Sequence, residues 1–271
     1  MNRFRIALAA VAFAAATGAH GHGALQQQID NATAALTRDP ANVELYLRRG
    51  ELHRVHEDPD AALADFDRAA ALAPAEDAID FLRGRALQEA GRAAAAKIAL
   101  DRFLARHPNH ADALIVRARA MRALAAHGAA VSDFSRAIEW MPRPDPDIYL
   151  ERARVELARN DPDRALAGID AGIGRIGDIA SLQTFALDIE LQQGRVDAAL
   201  ARLDRIARQS QRRETWLARR GEILAQAGRT QEARAAYESA LGALGALPAR
   251  ARWTPAMVGL EVRVRSALIA L

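Results

Sequence analysis

The residues of this chain best suited to chemistry stand near its start. A cut after Ala19 would leave a chain beginning His20-Gly21-His22, with a free amine and an imidazole at the third residue. The amine, two deprotonated amide nitrogens and the His22 imidazole make the square-planar field that Cu(II) and Ni(II) favour, and His20 adds a further donor. The plainer alternative is a short flexible leader that contains histidines. His53 and His56 lie near Glu57, and His107 and His110 flank Pro108. Two ligands do not close a metal site, so these four read as core or surface histidines. The chain has no Ser/His/Asp arrangement, no Gly-rich phosphate loop and no H-E-x-x-H run. It also has no cysteine, which excludes disulfides, Cys-ligated zinc, haem attachment through cysteine and thiol nucleophiles. An enzyme is not expected.

The elements that must position these residues are helices. Of the 271 residues, 51% are hydrophobic, 26% charged and only 5% aromatic, with Ala, Leu and Arg dominant, a composition poor in the residues that build sheets. There are 37 Lys+Arg against 34 Asp+Glu, Lys97 being the only lysine; so small an excess carries no nucleic-acid signal. Arg3 and Arg5 precede an apolar run from Ile6 to Ala16, followed by the small residues Thr17, Gly18 and Ala19. That is the order of a secretory signal. The run is far shorter than the roughly 20 residues needed to span a bilayer. Residues 1–19 are therefore expected to be a signal peptide, and the mature protein periplasmic or secreted, without stable membrane insertion. Without Arg3 and Arg5 the formal charge falls from +3 to +1.

The strongest pattern is a repeat. Pro40, Pro74, Pro108 and Pro142 recur every 34 residues. Arg49, Arg83 and Arg117 keep the same interval, Arg152 follows after 35 and Arg220 after 68, which places one inserted residue between Arg143 and Asp147. Ala62, Ala96, Ala130, Ala165, Ala199 and Ala233 share that slip, as do Phe66, Leu100, Phe134, Ile169, Leu203 and Tyr237 four residues further on. A spacing of four puts both series on one helical face, the buried one.

These residues resemble the tetratricopeptide repeat, which the first unit matches at Tyr46, Gly50, Ala62, Phe66, Ala69 and Pro74 and the last at Leu217, Gly221, Ala233, Tyr237 and Ala240. The resemblance implies an all-α solenoid of about six helical hairpins, at 43–76, 77–110, 111–145, 146–179, 180–212 and 213–246. Residues 20–42 form a leader and N-terminal capping helix, and 247–271 a C-terminal capping helix that starts at Thr254 and Pro255. The fifth unit is weakest, because Ala186 and Leu187 replace the usual Arg and small residue. Glu156 and Glu190 stand where the family places large apolar residues. Gly50, Gly84 and Gly221, with Ala118 and Ala153 at equivalent places, are expected to let two helix backbones approach. Asp58-Pro59 and Asp161-Pro162 start second helices, and Gly91, Gly194 and Gly228 end first helices in the left-handed conformation. Gly168, Gly172, Gly174 and Gly177 mark either a hinge or tight packing, of which packing is preferred.

In this family the first helix of each hairpin lines a concave groove that holds a peptide from a partner. Carried over to this chain, the groove positions are Leu47, Glu51, Arg54, Phe81, Arg85, Gln88, Ile115, Arg119, Arg122, Leu150, Arg154, Asp188 and Glu222. The arginines in the middle suit an acidic segment, because guanidinium groups bind carboxylates through paired hydrogen bonds; the alternative is a solvated helix face. The ladder Arg49, Arg83, Arg117, Arg152 and Arg220 is expected to be structural, with Asp65 and Asp133 lying sixteen residues after Arg49 and Arg117. The reading as a whole is an exported adaptor that binds another protein or peptide and no nucleic acid. The alternative is a Cu/Ni-handling protein that works through its histidine terminus.

Overall fold

The computed structural model describes residues 19–210 and 212–271, with side chains from residue 23; the expected signal peptide lies outside the described residues, apart from the backbone of Ala19. The described residues hold fifteen helices and no strand. They divide into two compact units, one ending at Trp140 and the other beginning at Met141.

The first unit contains α1 (Ala19–Arg38), α2 (Val43–Val55), α3 (Pro59–Leu72), α4 (Ala78–Glu89), α5 (Ala93–Arg106), α6 (Ala111–Ala123) and α7 (His127–Trp140). α2 pairs with α3, α4 with α5 and α6 with α7 as hairpins, while α1 packs on α2, α3 on α4 and α5 on α6. The second unit contains α8 (Pro146–Ala158), α9 (Pro162–Ile176), α10 (Ala180–Gln192), α11 (Val196–Gln209), α12 (Arg213–Gln226), α13 (Thr230–Gly245), the short α14 (Ala249–Arg252) and α15 (Pro255–Ala270). Its hairpins are α8/α9, α10/α11 and α12/α13, and α15 closes it by packing on α12 and α13.

Polar side chains cap several of the helix starts. Asn42, Asp58 and Asp161 each accept a hydrogen bond from the backbone N–H three residues on, at 3.1 Å, satisfying donors that a helix start leaves open. His110 does the same through Nδ1 for Ala113, at 3.2 Å. Thr254 precedes α15, but its hydroxyl donates back to the Ala251 carbonyl at 3.0 Å. Each first helix ends in a left-handed residue. Gly91, Gly194 and Gly228 have φ of 73°, 67° and 73°, and Glu57, Ala125 and Asn160 have 61°, 57° and 59°.

The repeating apolar residues form the core. Ala62, Phe66, Ala96, Leu100, Ala130 and Phe134 are fully buried in the first unit, as are Ile169, Ala199 and Ala233 in the second, where the core continues to Met257, Leu260 and Val264 of α15. The small position of the first helix makes room for a side chain of the second, not for its bare backbone. A Cβ on Gly50 would lie 2.6 Å from the Phe66 ring, one on Gly84 2.5 Å from Leu100, and one on Gly221 2.5 Å from Tyr237. Gly168 and Gly172 are tight in the same sense, under Arg152 and Tyr149, whereas Gly174 faces open space and Gly177 ends α9 with φ of 96°.

Candidate functional site

The arginine ladder ties hairpin to hairpin. In the first hairpin Arg49 holds both oxygens of Asp65 at 2.8 and 2.7 Å and donates to Thr33 of α1 at 3.0 Å. In the third, Arg117 holds Asp133 at 2.6 and 2.8 Å and reaches Asp101 of α5 at 2.7 Å. Both guanidinium pKa values are raised, first by the hydrogen bonds to Asp65 and Asp133. Among the described residues Arg83 and Arg220 pair only with the preceding hairpin, through Asp67 at 2.8 Å and Asp204 at 2.7 Å. Thr33, Asp67, Asp101, Asp170 and Asp204 thus form a second series, each sixteen residues before the ladder position.

The fifth hairpin supplies its cation from the other helix. Ala186 leaves the ladder position of α10 empty, and Arg202 on α11 is only 3% exposed. It holds Glu190 at 2.9 and 2.6 Å, Asp170 of α9 at 3.0 Å and the Gln183 amide oxygen at 3.0 Å. Glu190 is therefore buried as an ion-pair partner. Glu156, at the equivalent place in α8, is also buried and accepts from Arg159 at 2.8 Å.

The carried-over groove residues separate by polarity. Leu47, Phe81, Ile115 and Leu150 are buried and belong to the core. In the first unit the polar side chains join neighbouring first helices. Arg54 of α2 bonds both oxygens of Glu89 of α4 at 2.9 and 3.0 Å, lies 3.3 Å from Glu51, and Arg85 of α4 pairs with Glu51. Burial opposes the charge on Arg54, but Glu51 and Glu89 outweigh it and raise the pKa. Arg85 also lies over the Phe81 ring, 5.9 Å from its centroid. Gln88 and Arg119 are half-buried and Arg122 exposed. In the second unit Arg154 is exposed and stacks over Phe185 at 5.4 Å.

Asp188 and Glu222 come together at a cavity of about 310 Å3 between α10, α12 and α15, whose walls include Thr184, Trp216, Arg219 and Arg263. Glu222 accepts from Arg219 at 2.9 Å. The sequence reading did not place Arg263 here, because the closing helix lies outside the 34-residue beat.

The histidines do not gather. His20 and His22 fall in the first turns of α1, and their side chains lie outside the described residues. Among the described residues no three His, Asp or Glu side chains form a metal cluster. His107 lies 2.7 Å from Asp77 and packs on Phe103, while His110 packs against Phe81 and Phe103. Burial lowers the His110 pKa more than Asp112 raises it, which suits a neutral ring whose Nδ1 accepts the cap bond.

Helical hairpins stacked through a periodic apolar core define an all-α solenoid of the repeat class. Family models described as tetratricopeptide repeat match residues 29–77 and 81–147, and one described as tetratricopeptide repeat-like domain matches 148–252. The chain belongs to the tetratricopeptide repeat family. No curated protein sequence matches it. Among solved structures, a tetratricopeptide repeat protein from Parabacteroides merdae aligns with TM-score 0.56 and 18% identity over 92% of this chain and 93% of its own. Pseudomonas aeruginosa pilF aligns with TM-score 0.54 and 16% identity over 70% and 86%. The Naa15/Naa10 structure bound to HypK-THB aligns with TM-score 0.54 and 16% identity over 81% and 34%. Among the described residues no helix is long and apolar enough to cross a membrane.

Proposed function

We propose that this chain is an exported adaptor that holds a segment of another protein against the face built by its first helices, without chemistry of its own. One observation carries this reading. Within the first unit α4 packs directly on both α2 and α6, and within the second α10 packs on α8. Among the described residues no two second helices pack on each other as closely; the turn residues Arg92 and Arg229 reach back to Asp60 at 2.6 Å and Asp197 at 2.5 Å on the preceding second helices. First helices drawn closer than second helices put the first-helix face on the inner side of each stack, the surface that helical-repeat proteins use for extended partners.

The segment is acidic where it crosses α6. Both polar carried-over positions of α6 are arginines, Arg119 and Arg122, and guanidinium groups bind carboxylates through paired hydrogen bonds. Export rests on Arg3, Arg5 and the apolar run behind them, and N-terminal sequencing of protein recovered from the envelope or medium tests it. The adaptor reading is tested by quantitative affinity capture. Replacing Arg119 and Arg122 by Glu lowers capture by about tenfold or more, while Arg68→Glu, an exposed change on the second helix α3, leaves it intact. Equal loss in both variants, or in neither, removes the reading.

A further inference from the structure

We propose that the cavity between α10, α12 and α15 binds a small free zwitterion, an amino acid or dipeptide with an apolar side chain. Its volume of about 310 Å3 stands at the lower end of small-molecule sites. The lining carries two acids, Asp188 and Glu222, and two bases, Arg219 and Arg263. Glu222 and Arg219 satisfy each other at 2.9 Å. Asp188 on α10 and Arg263 on α15 have no hydrogen bond or ion pair with any described residue. The cavity therefore presents one carboxylate and one guanidinium, from two different helices, with Leu187, Trp216 and Leu260 supplying apolar surface.

An anion or a cation entering this cavity gains one attraction and suffers one repulsion. A molecule with both charges satisfies both, its ammonium on Asp188 and its carboxylate on Arg263, where the planar guanidinium forms paired hydrogen bonds. The apolar side chain then covers Trp216 and Leu260. An internal stretch of a protein replaces both terminal charges by neutral amides and loses both interactions, so the occupant is a free small molecule. This site goes beyond the adaptor reading: it shares Asp188 and Glu222 with the carried-over groove positions, but its second unsatisfied charge, Arg263, comes from the closing helix and not from a repeat.

Calorimetric titration of the purified chain with leucylleucine, and with its N-acetyl and C-amide forms, tests the proposal. Each blocked form is expected to bind about tenfold more weakly. Asp188→Asn weakens binding of the free dipeptide about tenfold and abolishes the effect of acetylation; Arg263→Gln does the same for amidation. Both residues are exposed, so both variants keep the fold, which a thermal melt checks. Absence of binding at millimolar dipeptide, blocked forms that bind as tightly as the free one, or variants that bind like the unaltered chain would each overturn it.

Discussion

In the third hairpin the guanidinium rises from the first helix: Arg117 grips Asp133 on its own hairpin and Asp101 on the one before. In the fifth the junction is built in reverse, with Arg202 on the second helix gripping Glu190 on the first and Asp170 on the preceding hairpin. Both place one cation between an acid of the same hairpin and an acid of its predecessor. The apolar frame is alike in the two, with Ala130 and Phe134 matched by Ala199 and Leu203, all buried. The stack thus holds a cation at this location and accepts it from either helix. The two differ in burial, for the side chain of Arg202 is 3% exposed and that of Arg117 15%.

That difference sets the largest expected effect. Arg202→Ala leaves Glu190 and Gln183 buried without their cation, a loss of about 3–5 kcal/mol. Arg117→Ala leaves Asp133 buried but Asp101 in reach of water and of Lys97 at 2.7 Å, so its cost is smaller, about 2–3 kcal/mol. Replacing Arg202 and Glu190 together by Met and Leu recovers most of the larger loss, because no buried charge is left unpaired and Asp170, half exposed, stays in water. Urea unfolding followed by circular dichroism measures all three. Equal costs for Arg202→Ala and Arg117→Ala would break the comparison.

The fourth hairpin sharpens it. Arg152 has Gly168 where Arg117 has Asp133, and Arg136 where Arg117 has Asp101. A Cβ at Gly168 would lie 2.2 Å from Arg152 Nη2, the end of a flexible side chain. Burial lowers the Arg152 pKa, with Glu156 opposing. Gly168→Asp rebuilds the pair of the third hairpin, and Gly168→Asn makes the same shape without charge. The Asp form is expected to be more stable than the Asn form by about 1–2 kcal/mol at neutral pH. Arg152 holds the new carboxylate below its unfolded value of about 3.9, so the advantage is complete above that value and disappears as pH falls through the lowered one. Thermal melts of the two variants between neutral and acid pH follow it.

Much of this architecture was legible in the sequence because the alanine and large-residue series share one slip at Arg143 to Asp147, and side chains four apart share a helical face. The pairs Arg49–Asp65 and Arg117–Asp133 were legible for a related reason, a constant offset of sixteen. Arg202 was not, since the absent arginine at Ala186 and the odd glutamate at Glu190 are separate violations of the pattern until two helices are seen side by side. The first-helix face was half legible. Periodicity marks the face to which Leu47, Phe81, Ile115 and Leu150 belong, but it does not say that all four are buried. Nor does it say that Glu51 and Arg85, or Arg54 and Glu89, neutralise each other across hairpins, because offsets of 34 and 35 between unlike residues leave no repeat signal.

The smallest expected effect concerns the turns. Glu57, Gly91, Ala125, Asn160, Gly194 and Gly228 are a further series on the same beat, every one left-handed. Three hairpins place glycine there and three do not. An L-residue with a Cβ pays about 1 kcal/mol for this conformation, more for Ala than for Asn, whose short polar side chain tolerates it. Ala125→Gly should therefore stabilise by about 0.5 kcal/mol, less than the full strain, because the freedom glycine gains in the unfolded chain offsets part of the relief. Asn160→Gly should change little, and Gly91→Ala should destabilise by about 1 kcal/mol. Nothing lies within 4 Å of a Cβ placed on Gly91, so a loss there reports backbone conformation alone. If Gly91→Ala is neutral in the same melts, the third hairpin's alanine is no weakness, and the two kinds of turn are equivalent.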